Sequence, residues 1–250
     1  MDDSPRRQVE IAGEDLASMG PIAVDVSNAR GSTYIEVDDL LDEPVVKWRA
    51  RWETHDKGDH AWRRNDPPVT VSAEVTSESD GGPRALRVSA APVADAPIDT
   101  YVDLRIIMPR CDGVSVRNSD GPVELVGVGG AITVDNGFGN GQGGRIELRT
   151  SRGLVDPVAL VTTEGRVTAV VTDRSRGQVA LTSGEGNVMF TTNETTVTDV
   201  HVTTGEWRGV WNDGSNPFIA RTGHGAVRVV IVDDPEMFTI PDPMLEAIGR

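Results

Sequence analysis

One cysteine, Cys111, is the only thiol in a sequence of 250 residues. That excludes an internal disulfide framework and says little about the redox compartment. Aromatic residues make up only 4% and hydrophobic residues 38%. A thick core is therefore out of reach, whereas thin stacked units that each bury one narrow stripe remain possible. No run of 18 apolar residues occurs, so no membrane span is expected. Met1 to Arg7 carries charges with no apolar stretch behind it, so no signal peptide is read there. If Met1 is the native start, the expectation is a cytoplasmic protein; a trimmed chain leaves export open. Basic residues are in the minority, with 24 Lys and Arg against 39 Asp and Glu and a net charge of −15. The pI is about 4.6. This deficit argues against a nucleic-acid partner, because phosphate affinity rests on lysine and arginine. It is compatible with cation binding or a solvated exterior.

Valine, threonine and glycine are plentiful, and helix is expected to be minor. The glycines are regularly placed: Gly144, Gly165 and Gly186 are spaced by 21 residues, and the next equal step lands on Trp207. Gly121 precedes this run by 23 residues and Gly225 follows Trp207 by 18. Around each mark stand a short apolar strand, a Thr/Ser/Asn-rich corner and a second short strand, and a fixed period of this kind signals a repeat architecture. The expected fold is all-β: a β-solenoid, parallel β-helix-like, of about six regular two-strand coils. Residues 1–19 read as a polar lead-in or cap and 20–112 as an irregular β-rich start. Regular repeats occupy 113–232 and a short C-terminal cap 233–250. Counting from the marks puts Val114, Val158, Val179, Val200 and Phe218 in one interior column, and Val116, Leu160, Leu181, Val202 and Ala220 in another. Before the repeats, Val45 to Trp52 alternates, with Trp48 and Trp52 on one face and Lys47, Arg49 and Arg51 on the other. Val69 to Val75 and Ala85 to Ser89 read as a hairpin, and Tyr101 to Met108 as a strong strand.

From Tyr101 onward the chain resembles the bacterial "putative adhesin" domain of unknown function. The residues that carry the likeness are the strand Val102-Asp103-Leu104-Arg105-Ile106-Ile107-Met108-Pro109, then Val114 to Leu125 and the recurring Thr-x-x-Gly-x-Val corners. The resemblance covers about residues 20–232. It implies a β-solenoid and brings no catalytic residues with it; many members look extracytoplasmic. The function expected on this basis is non-enzymatic, a rigid scaffold or binding surface for protein or carbohydrate. Self-association into a filament by end-to-end stacking is the alternative, and a carbohydrate-active β-helix enzyme a further one.

Several constellations bear on chemistry. Glu164, Glu185 and Glu206 each precede a mark, so sequential coils would stack them about 4.8 Å apart. A cation ladder, with calcium as the ion, is one reading; a solvated edge partly neutralised by Arg166 and Arg208 is the other. The loop His55-Asp56-Lys57-Gly58-Asp59-His60 holds imidazoles and carboxylates in a spacing that matches no metal motif. Trp48, Arg49, Arg51 and Trp52 suggest sugar or acid binding by stacking and bidentate contacts, against the plainer reading that both tryptophans point inward. Trp207, standing where a turn glycine is expected, is the candidate for an exposed binding contact. Asp156, Asp173, Asp199 and Asp213 lie near corners of variable length, so their convergence into a lyase-like cluster is not required by the pattern. The glycine-rich run at 136–143 lacks a Gly-Lys-Ser/Thr end and a following helix, which excludes a phosphate loop. Its length predicts a protruding corner.

Overall fold

The structure is a computed structural model that describes residues 2–3, 6–12, 22–52, 67–77, 84–192 and 195–238. Apolar–polar alternation over short Val- and Thr-rich stretches produces strands throughout. In chain order they are β1 (Asp2–Asp3), β2 (Arg7–Gln8), β3 (Ile22–Asn28), β4 (Thr33–Val37), β5 (Val45–Trp52), β6 (Val69–Ser77) and β7 (Arg84–Pro92). Next come β8 (Tyr101–Met108), β9 (Cys111–Asn118), β10 (Val123–Val126), β11 (Gly129–Asn136), β12 (Ile146–Thr150), β13 (Val158–Glu164) and β14 (Val167–Val171). The last are β15 (Gly177–Glu185), β16 (Val188–Thr191), β17 (Val197–Val202), β18 (Glu206–Trp211), β19 (Pro217–His224) and β20 (Val227–Ile231). A single 3-10 turn, Phe138–Asn140, is the only helical element among the described residues.

These strands make an all-β fold of two open, mixed sheets. The first runs β1-β5-β8-β4-β10-β12-β14-β20-β16, with β2 also on β5; the second runs β17-β18-β15-β19-β13-β11-β9-β3-β7-β6. Most of each sheet is parallel and in register, and antiparallel strands close both ends: β5 and β6 at one, β18 and β17 at the other. A strand of the second sheet, a corner and a strand of the first sheet form one rung. The rungs do not lie in chain order, which corrects the sequential stacking expected from the glycine spacing. β3/β4, first along the chain, sits between β7/β8 and β9/β10. β19/β20, last along the chain, sits between β13/β14 and β15/β16. All rungs present the same aliphatic stripe, so local pattern fixes register without fixing which rung is the neighbour.

Inward side chains of both sheets merge into one core. In the second sheet Val24, Val114, Ile132, Val158, Phe218 and Val179 are successive register partners, each 4% exposed or less. In the first, Ile35, Leu125, Leu148, Ala169 and Val229 do the same and are fully buried. Each such Val or Leu contributes roughly 1.5–3 kcal/mol. Val200 and Val202 leave the predicted columns: they are 52% and 61% exposed, because β17 is an antiparallel edge strand and not part of a rung.

The corners explain both the glycine marks and the Asn/Thr/Ser content. A Cβ on Gly121 would stand 2.5 Å from the Gly31 oxygen, and one on Gly165 2.7 Å from the Gly144 carbonyl carbon. The same column continues through Gly225 over Gly165 and Gly186 over Gly225. Beside it runs a buried polar column of register partners: Asn28, Asn118, Asn136, Thr162, Thr222 and Ser183. Asn136 Nδ2 donates to the carbonyls of Gly121 (3.0 Å) and Gly144 (3.1 Å), and its Oδ1 accepts from Asn118 Nδ2 (3.0 Å). Thr162, Thr222 and Ser183 hydroxyls donate to Gly144, Gly165 and Gly225 carbonyls at 2.9, 2.8 and 2.7 Å. Corner carbonyls turned away from water are thereby satisfied from inside.

Other expectations about the ends change. Part of the polar lead-in pairs antiparallel with β5, through β1 and β2. The rest of the lead-in, residues 13–19, lies outside the described residues. The far end is sealed by the β17–β18 hairpin and an aromatic cluster, with Trp211 edge-on to Phe190 and Phe218. The segment after β20 instead reaches the side of the first sheet, where Glu236 Oε1 accepts from the Ser151 N–H at 2.9 Å. Met237 there is 79% exposed, and residues 239–250 lie outside the described residues. The glycine-rich corner protrudes in part: Phe138 is exposed, while Gly141 is held against Ser119.

Candidate binding groove

The outer face of the first sheet carries the most distinctive side-chain constellation, at the end built from β4, β5 and β8. Alternation sets it up. In β5, Val46, Ala50 and Trp52 are buried, which turns Lys47, Arg49 and Arg51 outward. In β8, Val102, Leu104 and Ile106 are buried, which turns Tyr101, Asp103 and Arg105 outward. The insertion of β4 beside β8 then brings Tyr34 next to Arg105, and the antiparallel β5 puts Lys47 on Arg105 and Arg49 on Asp103. The result is a groove of about 310 Å³ lined by Arg6, Lys47, Arg49 and Arg105, with Asp103, Ser32 and Tyr34 between them. Among the described residues four cationic groups line it with one carboxylate, Asp103, and a second carboxylate, Glu36, pairs with Arg105 from beside it, on a chain whose net charge is −15.

That carboxylate is fully engaged. Asp103 accepts from Arg51 Nε and Nη2 at 2.7 and 2.9 Å, from Ser32 Oγ at 2.6 Å and from Arg49 Nη2 at 3.4 Å. Burial pushes its carboxyl pKa up, but the hydrogen bonds from Arg51 and Ser32 and the Arg51 charge outweigh that and hold it below its ordinary value. Asp103 is thus a fixed anion that orients the arginines. Arg105 Nη2 lies 3.0 Å from both Glu36 oxygens, and its guanidinium sits 5.3 Å from the centre of the Tyr34 ring. The Tyr34 hydroxyl pKa is pushed up to about 12, first by burial and then by its hydrogen bond with Glu36. It stays a neutral phenol at any physiological pH.

Toward the corners lies a second hollow of about 410 Å³, between Arg30, Tyr101, Asp120 and the glycine-rich corner with Asn140 and Gln142. Arg30 and Arg51 both lie over Tyr101, at 5.4 and 5.8 Å from the ring centre. Arg30 Nε pairs with Asp120 at 3.3 Å, and Asp120 also accepts from the Gln142 N–H at 2.7 Å. Tyr101 and Asp103 are two residues apart on one strand face, so the two hollows are neighbours, with Arg51, bonded to Asp103 and over Tyr101, between them.

The residues singled out by sequence fare unevenly. Arg49 and Arg51 are in this site. Trp52 is buried, and Trp48 packs against the core under Arg7, whose guanidinium is 5.6 Å from the ring centre; one side of Trp48 also reaches the groove. Trp207 is not an exposed contact. It is 8% exposed and stacks on Phe190 at 4.4 Å, because β18 folds back antiparallel and turns it inward. Glu164, Glu185 and Glu206 do not stack on one another. His224 lies between Glu164 and Glu185 in register, and its Nδ1 is 3.2 Å from Glu185. Glu206 sits on β18, opposite Thr182 and paired with Arg208. The inserted rung removes the spacing a three-carboxylate calcium ladder needs, and no group of three or more His, Cys, Asp or Glu suited to a metal occurs among the described residues. The loop at 55–60 lies outside the described residues. Asp156, Asp173, Asp199 and Asp213 are all exposed.

Sequence reasoning missed Ser32, Tyr34, Asp103 and Arg105. Their signal was present as the polar half of two alternating strands, but their meeting depends on the inserted rung. No helix of the described residues is long and apolar enough to cross a membrane. No protein-family model matches the chain, and no curated protein does. Among solved structures, the chain is similar to the crystal structure of a putative cell adhesion protein from Clostridium sporogenes. The identity is 12%, the match covers 92% of this chain and 99% of that one, and the TM-score is 0.45.

Proposed function

We propose that the chain is a non-enzymatic, adhesin-like binding scaffold: a β-solenoid-like stack of rungs whose binding face is the cationic groove over β4, β5 and β8. The observation that carries this reading is the concentration of Arg6, Lys47, Arg49 and Arg105 in one groove of a strongly acidic chain. Beyond a Debye length of about 8 Å at physiological salt the net charge is largely screened. An approaching ligand therefore meets the local cations rather than the chain's total. The engagement of Asp103 supports binding over catalysis, since a carboxylate held ionised by arginines is a poor proton shuttle. The test is retention on a matrix bearing carboxymethyl groups. The wild type is expected to be held at about 0.15 M ionic strength, where the net charge is screened, and released by higher salt, and Lys47→Glu to pass through. Flow-through of both proteins, or equal retention of both, would refute the groove as a binding face.

A second reading, self-association, rests on the opposite end. There β17 presents exposed Val200 and Val202 beside a strand edge with no partner among the described residues, an arrangement open to edge pairing. Light scattering across a concentration series tests it: mass growing with concentration supports it, and a constant mass opposes it.

A further inference from the structure

Resting on the groove as the binding face, we infer that its ligand is an acidic glycan: an oligosaccharide whose carboxylate or sulfate groups lie among Lys47, Arg49 and Arg105 while its hydroxyls lie in the neighbouring hollow. The two hollows differ in chemistry in the way such a chain does. The first holds the Arg6 and Lys47 charges beside the guanidinium groups of Arg49, bonded to Asp103, and Arg105, bonded to Glu36. Guanidinium donors match planar anions by paired hydrogen bonds. The second offers the exposed amide side chains of Asn140 and Gln142, with Asp120 tied to Arg30; Gly143 beside them is buried, its N–H and C=O bonded to Ser119 and Gly121. Two exposed amide side chains over a glycine-rich corner suit the hydroxyls of a sugar ring. Tyr101 stands at the junction and lines the second hollow.

The architecture disfavours an acidic peptide in the same place. An extended peptide gains affinity by adding a strand to a free sheet edge. The floor of this groove has no such edge: β8 is paired on both sides by β5 and β4, β4 by β8 and β10, and β5 by β8 and the short strands β1 and β2. The second hollow, lined by polar groups, glycines and one tyrosine, also gives a peptide no apolar seat for an anchoring side chain. The two neighbouring hollows, about 310 and 410 Å³, each exceed the space a lone small anion needs.

The experiment is calorimetric titration of the full chain at about 0.15 M ionic strength with four oligomers of similar length: an oligogalacturonate, a sulfated oligosaccharide, a neutral oligogalactose and an oligoglutamate. Binding of at least one acidic oligosaccharide, tenfold or more tighter than oligoglutamate or the neutral glycan, is the expected result. The carboxylated and sulfated arms tell which anion is preferred. Lys47→Glu is expected to weaken the acidic glycan at least tenfold. Gln142→Ala, on the exposed corner, is expected to weaken it several-fold while leaving oligoglutamate unchanged. Oligoglutamate binding as tightly as the glycans overturns the inference in favour of a peptide, and equal binding of the neutral glycan overturns the role of charge. If no oligosaccharide binds while retention on the carboxymethyl matrix still depends on Lys47, the glycan assignment falls and the binding face stands. If that dependence is absent as well, both fall.

Discussion

Replacing Asn136 by alanine removes three hydrogen bonds from a fully buried position: two donated to the Gly121 and Gly144 carbonyls and one accepted from Asn118. Each net hydrogen bond contributes about 1 kcal/mol. Gly121 retains Asn118 as donor and Gly144 retains Thr162, so no carbonyl is left wholly orphaned. The expected loss is therefore about 3 kcal/mol, with a small further cost for the void. Two companion variants separate hydrogen bonding from volume. Asn136→Asp is nearly isosteric but sets a carboxylate against two carbonyl oxygens, and should cost at least as much as alanine. Asn136→Thr introduces the hydroxyl that nature uses at Thr162 on the next rung, and should cost the least of the three. Urea unfolding followed by fluorescence of the buried Trp52 and Trp211 reads the effect. A loss below about 0.5 kcal/mol for alanine, or an aspartate variant more stable than the alanine one, would refute the view that this column holds the corners.

Two further perturbations probe the corners and the groove. Gly165→Ala places a Cβ 2.7 Å from the Gly144 carbonyl carbon at a φ of +98°, and should lower stability by about 2 kcal/mol or more in the same urea assay. Gly139→Ala, where a Cβ meets nothing within 4 Å but φ is +69°, should cost only the backbone strain of about 1–2 kcal/mol. Asp103→Asn should lower stability at pH 7 by about 2 kcal/mol through weakened bonds to Arg51. The folded pKa of Asp103 lies below its ordinary 3.8, so its contribution is complete above that value and is lost as the pH falls through the lower folded value. The difference between wild type and Asp103→Asn should accordingly shrink in urea titrations below pH 3.8 and stay constant above pH 5; a pH-independent gap would contradict the assignment.

Much of the local structure was legible in the sequence for physical reasons. The period of two in Val45 to Trp52 and Tyr101 to Met108 gave strand, face and the outward set Lys47, Arg49 and Arg51. The hairpin of β6 and β7 and the corner glycines were legible too, because turn chemistry is local. Neighbour identity was not. Val114, Ile132, Val158 and Phe218 offer interchangeable stripes, and nothing in them says that Phe218 rests on Val158. For that reason the Glu164–Glu185 stacking failed, with His224 intervening, and only half of the groove could be anticipated. Trp207 misled because equal spacing was taken for equal environment. At that point the chain reverses direction, and the tryptophan seals the end of the core.

Both the groove and its proposed ligand depend on the first rung being inserted beside β8, so that Tyr34 and Arg105 are register partners. Cysteines placed at these two outward positions in a Cys111→Ser background test this directly with a bifunctional thiol reagent spanning about 5 Å, the separation of paired strands. An intramolecular cross-link is expected when the reagent is added to the folded chain, and none when it is added to the chain already unfolded in urea. Two singly modified thiols with no bridge would contradict the rung order on which the site is built.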